Sequence, residues 1–220
     1  MEHLHTVGDV MTHAVIAVGR EAPFKEIVES LQRWRISALP VLAGDGRVIG
    51  VVSEADLLAK EQFGEGAPTP ADHPSRAESD IAEKARAVTA GQLMSVPAIT
   101  VRADATIAQA ARAMARGNVK RLPVVDAEGR LTGVVSRSDL LKVYLRPDAD
   151  IAQEVRSELI ARLLPAGSSV VEIQVEEGVV TLTGTVPDAA LIPLLDRLAR
   201  TVPGVVDVEA HLSADASGAP

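Results

Sequence analysis

Hydrophobic spacing along the first 150 residues changes period repeatedly, and each change marks an element. Phe24, Ile27, Val28 and Leu31 follow i, i+3, i+4, i+7 spacing, which predicts a helix with one buried stripe. Pro23 suits its first turn. Two short apolar runs follow, Leu39–Leu42 and Val48–Val52, joined through Gly44-Asp45-Gly46. Asp-Gly between apolar runs predicts a hairpin, because glycine adopts the positive φ that such turns need. A second helix is expected from about 54 to 62.

The same succession returns further on. Ile107, Ala110, Ala111 and Met114 carry helical spacing, with Asp104 or Thr106 as the cap. Leu122–Val125, a Glu128-Gly129 turn and Leu131–Val135 form a second hairpin, and a helix is expected from about 137 to 145. Sliding the chain by 83 residues aligns 6–58 with 89–141 without a gap, and 19 of the 53 pairs are identical. Gly50-Val51-Val52-Ser53 matches Gly133-Val134-Val135-Ser136, and Asp56-Leu57-Leu58 matches Asp139-Leu140-Leu141. Two copies of one α/β unit account for this stretch. Residues 61–87 between them hold Pro68, Pro70 and Pro74 and read as a linker, with Ser79–Ala87 as a short helix entering the second copy.

The last third has another rhythm. Ile151, Val155 and Leu159 share a helical face after a cap at Asp148 or Asp150, and Pro165-Ala-Gly167 ends that helix. Val171, Ile173 and Val175 alternate, Glu177-Gly178 turns, and Val180, Leu182 and Val186 continue with Gly184 among them. Pro187-Asp188 opens a helix reaching about Arg200, which Pro193 should kink or delay. A final strand is expected to set Val206, Val208, Ala210 and Leu212 on one face. The order is αββαβ.

Composition narrows the chemistry. The chain has 220 residues and no cysteine, which excludes disulfides, thiolate catalysis and cysteine-held metals. Phe24, Trp34, Phe63 and Tyr144 are its four aromatic residues, too few for a base-stacking platform, so no nucleic-acid partner is expected. The net charge of −8 agrees, but the distribution is uneven: residues 88–147 are net +5 and residues 148–220 net −8. The N-terminus lacks the basic and apolar runs of a signal peptide and no window is apolar enough to span a membrane, so a cytoplasmic location is expected. There is no phosphate-binding Gly-x-x-x-x-Gly-Lys loop, no Gly-x-Ser-x-Gly elbow and no His-Glu-x-x-His helix. His3, His5 and His13 lack a carboxylate cluster, and no metal site or catalytic residue is expected.

Candidate chemistry lies where each hairpin ends. Ser53 and Ser136 stand at strand-to-helix junctions, where free N–H groups and the positive helix end face outward. Asp56 and Asp139, one turn on, are placed to accept two hydroxyl hydrogen bonds. Ser-x-x-Asp is equally close to a capping box that needs no ligand, and both roles are compatible. Gly50 and Gly133 in strand interiors read as places of close ligand approach. The second copy is the more basic: Lys120 and Arg121 stand where the first has Ser37 and Ala38, and Arg137 where it has Glu54. Charge-assisted bonds to phosphate are strong, so a phosphorylated ligand is expected to favour the second copy's motif, with Asp139 outranking Asp56.

Gly8-Asp-Val-Met11 and Gly91-Gln-Leu-Met94, the Leu-Pro-Val hairpin entries and the closing Gly-hydrophobic-x-Ser-x-x-Asp, each present twice in register, resemble a tandem pair of CBS domains, a Bateman module. The resemblance covers about 6–60 and 89–146. It implies an α/β fold of two repeats packed as a pseudo-two-fold pair. Adenine nucleotides (AMP, ADP or ATP) or other adenosyl compounds would bind between the repeats as regulatory ligands rather than catalytic cofactors. With the glycines and cations read above, the expected ligand-facing positions are Ile16, Ala38, Gly50, Ser53 and Asp56, and Ile99, Lys120, Arg121, Gly133, Ser136, Arg137 and Asp139. The closing serine would face phosphate and the aspartate the ribose hydroxyls, and a homodimer is expected. Val171–Val186 and Val202-Pro-Gly-Val-Val-Asp-Val208 resemble a BON domain, with Gly178, Gly184 and Gly204 at its glycine positions. That family is associated with phospholipid contact, but an anionic leaflet repels a segment of net −8, so a protein contact or an intramolecular role is the better expectation. The expected organisation is repeat 1 at 1–60, linker 61–87, repeat 2 at 88–147, the BON-like domain at 148–213 and a tail at 214–220. A non-catalytic sensor follows, or else a scaffold with degenerate clefts or a membrane-surface adaptor acting through the BON-like domain.

Overall fold

A computed structural model describes residues 6–62, 82–163 and 170–214. Most of the expected linker (63–81), the Pro165-Ala-Gly167 stop and the tail lie outside the described residues. The chain divides into two compact units, one spanning Thr6–Leu140 and the other holding Leu141–Pro220.

In the first unit each repeat builds the same set of elements. Repeat 1 has α1 (Val7–Val10), β1 (Val18–Gly19), α2 (Phe24–Trp34), β2 (Ala38–Leu42), β3 (Val48–Ser53) and α3 (Glu54–Gln62). Repeat 2 has α4 (Ala90–Leu93), β4 (Val101–Arg102), α5 (Ile107–Arg116), β5 (Arg121–Val125), β6 (Leu131–Ser136) and α6 (Arg137–Leu141), and residues 82–86 ahead of α4 are helical. Each repeat's sheet runs in sequence order, the first pair parallel and the second antiparallel. The hairpin registers correspond pair for pair: Val41 faces Gly50, and Val124 faces Gly133. Gly46 and Gly129 take φ of +84° and +81°, the left-handed geometry for which those turns need glycine.

The helical stripes are buried much as their spacing requires. Ile27 and Leu31 of α2, and Ala110 and Met114 of α5, are enclosed. Ala111 is exposed instead, because the stripe through 107, 110 and 114 leaves it at the helix edge. Thr106 caps α5, its hydroxyl accepting from Gln109 N–H at 3.2 Å. Pro23 sits at the N-cap of α2, one residue before the helix.

The repeats exchange their opening segments. Val7 and Gly8 of α1 donate N–H groups to Ala105 and Ala103 of repeat 2, each at 2.8 Å. Ala90 and Gly91 of α4 donate to Ala22 and Arg20 of repeat 1 at 2.9 and 2.8 Å, the same bonds shifted by 83. Thr12 pairs with Val134, and Ser95 with Val51. Ala87, Ala90 and Leu93 thereby complete the core built on Ile27, Leu39, Val41 and Val52.

This exchange corrects one sequence expectation. A Cβ on Gly50 would stand 2.5 Å from the sulfur of Met94, and one on Gly133 2.7 Å from that of Met11. The missing side chains admit the methionine of the opposite repeat, not a ligand.

The second unit opens with a 3₁₀ turn (Lys142–Leu145) and continues as α7 (Asp148–Arg162), β7 (Val170–Glu176), β8 (Val179–Val186), α8 (Leu191–Ala199) and β9 (Asp207–Ala214). The sheet order is β7-β8-β9, antiparallel and then parallel, and β8 to β9 crosses over through α8. Ile151, Val155 and Leu159 pack on Val180, Leu182, Val186, Leu195 and Ala199. Pro193 lies in the first turn of α8, where its missing N–H costs no bond, so it delays the helix rather than kinking it.

Two further expectations change here. Asp148 does not cap α7, whose N-cap is Pro147; its carboxylate accepts the N–H groups of Glu177 and Gly178, both at 2.9 Å. Those two residues have φ of +49° and +77°, a type I′ hairpin turn. Val206 is exposed ahead of β9, because its N–H bonds Gly178 O and its side chain sits over that turn. Ala210 is also exposed, so Val208 and Leu212 carry the inward face. Arg146 is enclosed: it donates to Glu154 at 2.6 Å and to Pro203 O at 2.5 Å, with 7% of its side chain exposed.

Two stability outcomes are expected. Gly133→Ala, which also meets Thr12 O at 3.1 Å, should cost about 1–3 kcal/mol by urea unfolding. Combining it with Met11→Ala should recover part of that loss if the two residues share one contact. Arg146→Met removes the enclosed bonds to Glu154 and Pro203 O and should cost about 3–5 kcal/mol by urea unfolding.

Candidate functional site

The exchange leaves a cleft of about 540 Å³ between the two repeats. One wall comes from repeat 1: Ser37 and Ala38 entering β2, Val51 and Ser53 of β3, and Glu54, Asp56 and Leu58 of α3. The other comes from repeat 2: Ser95 and Pro97–Ile99 after α4, and Gly117–Arg121 between α5 and β5. Gly117 has a packing reason to be glycine, since a Cβ there would stand 2.2 Å from Ile99 Cδ1. The first repeat has Trp34 at the equivalent position.

Asp56 is the buried charge of this cleft, with 8% of its surface exposed. Its Oδ2 accepts the N–H of Ser53 at 2.8 Å and the Ser53 hydroxyl at 2.7 Å. Its Oδ1 takes the ammonium of Lys84 and the Ser95 hydroxyl, the latter at 3.3 Å. Lys84 also donates to Ser95 Oγ at 3.0 Å, and Lys60 ties the same segment down through Ala85 O at 2.9 Å. In repeat 2 the motif closes likewise: Asp139 accepts from Ser136 N–H at 2.9 Å and from its hydroxyl at 2.5 Å. The helix-capping reading of Ser-x-x-Asp holds in repeat 2, where Asp139 N–H also donates to the Ser136 hydroxyl at 3.3 Å, and in repeat 1 through the carboxylate's bond to Ser53 N–H.

The cations are placed otherwise than the sequence suggested. Lys120 and Arg121 line the cleft that holds Ser53 and Asp56, so they do not belong to the second motif alone. Their backbone still borders that motif: Arg121 faces Ser136 across the hairpin, and Arg137 N–H donates to Lys120 O at 3.0 Å. The Arg137 side chain lies outside the lining and donates to Val119 O at 3.2 Å. Arg121 Nε is buried with no hydrogen-bond partner, and neither Lys120 nor Arg121 enters an ion pair among the described residues. The premise behind ranking Asp139 over Asp56, that only the second copy has cations nearby, does not hold: Asp56 has Lys84 directly and shares its cleft with Lys120 and Arg121.

The cleft gathers Ala38, Ser53, Asp56, Ile99, Lys120 and Arg121 from the expected set. Ser136, Asp139 and Arg137 lie outside its lining, as do Gly50 and Gly133, and Ile16 packs on the first repeat's core. Sequence reasoning missed Ser95, Lys84 and the Gly117–Val119 stretch. Ser95 carried a usable signal, since it directly follows the Met94 of the repeated motif. Lys84 carried none, lying in a stretch that reads as linker.

The CBS domain profile matches residues 7–62 and 90–146. The chain belongs to the CBS-domain family. A BON domain follows over 147–216. The CBS pair is similar to the chloroplastic CBS domain-containing protein CBSX1 of Arabidopsis thaliana, 28% identical over 154 residues, which are 65% of each chain. This chain therefore spans somewhat less than two thirds of that relative. A CBS domain-containing protein of Dictyostelium discoideum is 29% identical over 142 residues, 64% of this chain and 91% of that one. Among solved structures, CBSX2 in complex with AMP superposes with a TM-score of 0.55 at 30% identity, covering 64% of this chain and 96% of that one.

Asp56→Ala should therefore destabilise the CBS pair even without ligand, by about 1–3 kcal/mol in thermal or urea unfolding, since it strands Lys84 and uncaps α3. An unchanged midpoint would show that the carboxylate holds nothing in the free protein.

Proposed function

We propose that the protein is a non-catalytic cytoplasmic regulator whose CBS pair binds an adenine nucleotide or other adenosyl ligand in the cleft carrying Ser53, Asp56, Lys120 and Arg121. The observation that carries this reading is the cleft itself. Its volume of about 540 Å³ is within the ordinary range for small-molecule sites, and its two unpaired cations face a strand-to-helix junction. The AMP complex of CBSX2, 30% identical over nearly its whole length, supports the ligand class. Ser136, Asp139 and Arg137 form the equivalent ligand-facing motif of repeat 2, at a second and weaker position.

The BON domain serves as the interaction end. Its net charge of −8 favours a protein partner over an anionic membrane. Among the described residues, no helix is long and apolar enough to cross a membrane. A homodimer is part of the same reading: Trp34 of α2 and Leu58 of α3 are half exposed, and α2 and α3 border an open groove suited to a second copy.

A scaffold without ligand is the competing reading, favoured by the complete internal satisfaction of Asp56. Thermal unfolding separates the two. AMP, ADP or ATP at about 100 times its dissociation constant should stabilise the CBS pair by about 2.7 kcal/mol, a rise of a few degrees. No shift with these nucleotides or with S-adenosylmethionine at millimolar concentration would leave the scaffold.

A further inference from the structure

We propose that a second copy of this chain docks on the CBS pair head to tail. The groove between α2 and α3 of repeat 1 receives α5 of the partner's repeat 2, and the two-fold axis makes the same contact in reverse. Glu29, Glu54, Arg112 and Arg137 fix that orientation. The inference deepens the homodimer reading and rests on it.

The argument starts from shape. The groove holds about 770 Å³ and is lined by Phe24, Val28, Leu31 and Leu57, with Glu54 and Glu61 exposed along it. An open apolar groove between two surface helices accepts a further helix face. The corresponding face of repeat 2 is built to enter one. The offset of 83 turns Lys25, Val28 and Gln32 of α2 into Ala108, Ala111 and Ala115 of α5, and all three alanines are exposed. Short side chains make α5 thin on that side, so a groove can admit it closely. Two copies of the groove set face to face would leave apolar walls without partner atoms and forfeit those contacts.

Charge points the same way. Repeat 1 carries exposed glutamates at 26, 29, 54 and 61, and the equivalent residues of repeat 2 are Gln109, Arg112, Arg137 and Tyr144. None of these is acidic and two are cationic. Among the described residues, neither the four glutamates nor Arg112 enters an ion pair, and the exposed Arg137 side chain donates to a carbonyl, Val119 O. Pairing repeat 1 with repeat 1 would bring glutamate toward glutamate, and the other half of the dimer would bring arginine toward arginine. Pairing repeat 1 with repeat 2 brings opposite charges together at both contacts. The groove's own cations, Arg35 and Arg121, correspond to neutral Asn118 and Ala38, so the unlike pairing sets no cation against them at the equivalent positions. Exposed ion pairs add little affinity, but like charges brought together are penalised, and that difference selects the orientation.

The chain has no cysteine, so introduced cysteines report the orientation without background. Gln32→Cys and Ala115→Cys, at exposed equivalent positions, are made singly and together in the full chain and treated with a flexible bis-maleimide. The double variant should give a covalent dimer and neither single variant should. Self-linking of a single variant, or no linked dimer from the double variant, would overturn the proposal. Sedimentation equilibrium supplies the second arm. Glu29→Arg with Glu54→Arg should weaken the dimer by about tenfold or more, as should Arg112→Glu with Arg137→Glu, and all four together should recover most of the loss. A dimer indifferent to these reversals would overturn the head-to-tail orientation and leave the homodimer standing. A wild-type chain that stays monomeric at about 0.1 mM would overturn the homodimer reading and the proposal together.

Discussion

Everything in the CBS pair depends on the reciprocal exchange of opening segments. A single repeat offers a three-stranded sheet with two helices, and its core is incomplete. Ala90 and Leu93 of α4 fill it from the other copy, while Gly91 N–H reaches Arg20 O and Ser95 pairs with Val51. α1 does the same for repeat 2. Backbone bonds of this kind contribute only about 1 kcal/mol each on balance, but they set register, which apolar packing alone leaves loose. The methionines then lock the register, because Met94 and Met11 occupy space that only a glycine leaves free at Gly50 and Gly133. The cleft walls are consequently fixed by the same contacts that hold the fold.

The Ser-x-x-Asp motif closes a strand-to-helix junction in both repeats, and in repeat 1 the same atoms line the cleft. A helix starting straight from a strand has unmet N–H groups, and the aspartate one turn on reaches back to the Ser53 or Ser136 amide to help close that junction. Such a junction is also where an anion would dock. In repeat 1 the cap is reinforced by Lys84 and Ser95, which pair the carboxylate with a cation inside the cleft.

Much of this was legible in the sequence, and the reason is periodicity. The offset of 83 predicts the same elements twice, and the hairpins, their turns and both Ser-x-x-Asp junctions follow from local chemistry. The αββαβ order of the C-terminal unit was readable for the same reason. The crossing was not. A repeat establishes that two copies are alike but is silent on which copy packs on which. Gly50 therefore looked like a ligand approach, although its neighbour is Met94 from 44 residues away. Lys84 was hidden by long-range pairing, since it lies in apparent linker and meets Asp56 28 residues away. Asp148 shows the limit of capping rules, since it stands where a cap belongs and bonds a hairpin turn instead.

Duplication within one chain also allows what a dimer of identical repeats cannot have. Positions 37 and 38 are equivalent to 120 and 121, and all four residues line the same cleft. In a symmetric pair of identical chains, those walls would carry the same side chains, giving either two cationic walls or none. Here Ser37 and Ala38 stand on one side, while Lys120 and Arg121 stand on the other. Two cationic walls would repel each other across the empty cleft, and like charges brought together in a sheltered space destabilise the protein whenever the ligand is absent. A single cationic wall limits that cost and gives the cleft a direction, since the charged end of a ligand has one wall to meet. The same divergence put Gly117 where repeat 1 has Trp34, and so made room for Ile99 beside the cations. The asymmetry of the sequence is therefore also an asymmetry of charge across the cleft. The fold needs the two repeats to be alike only where they exchange backbone bonds, and it leaves the cleft residues free to differ.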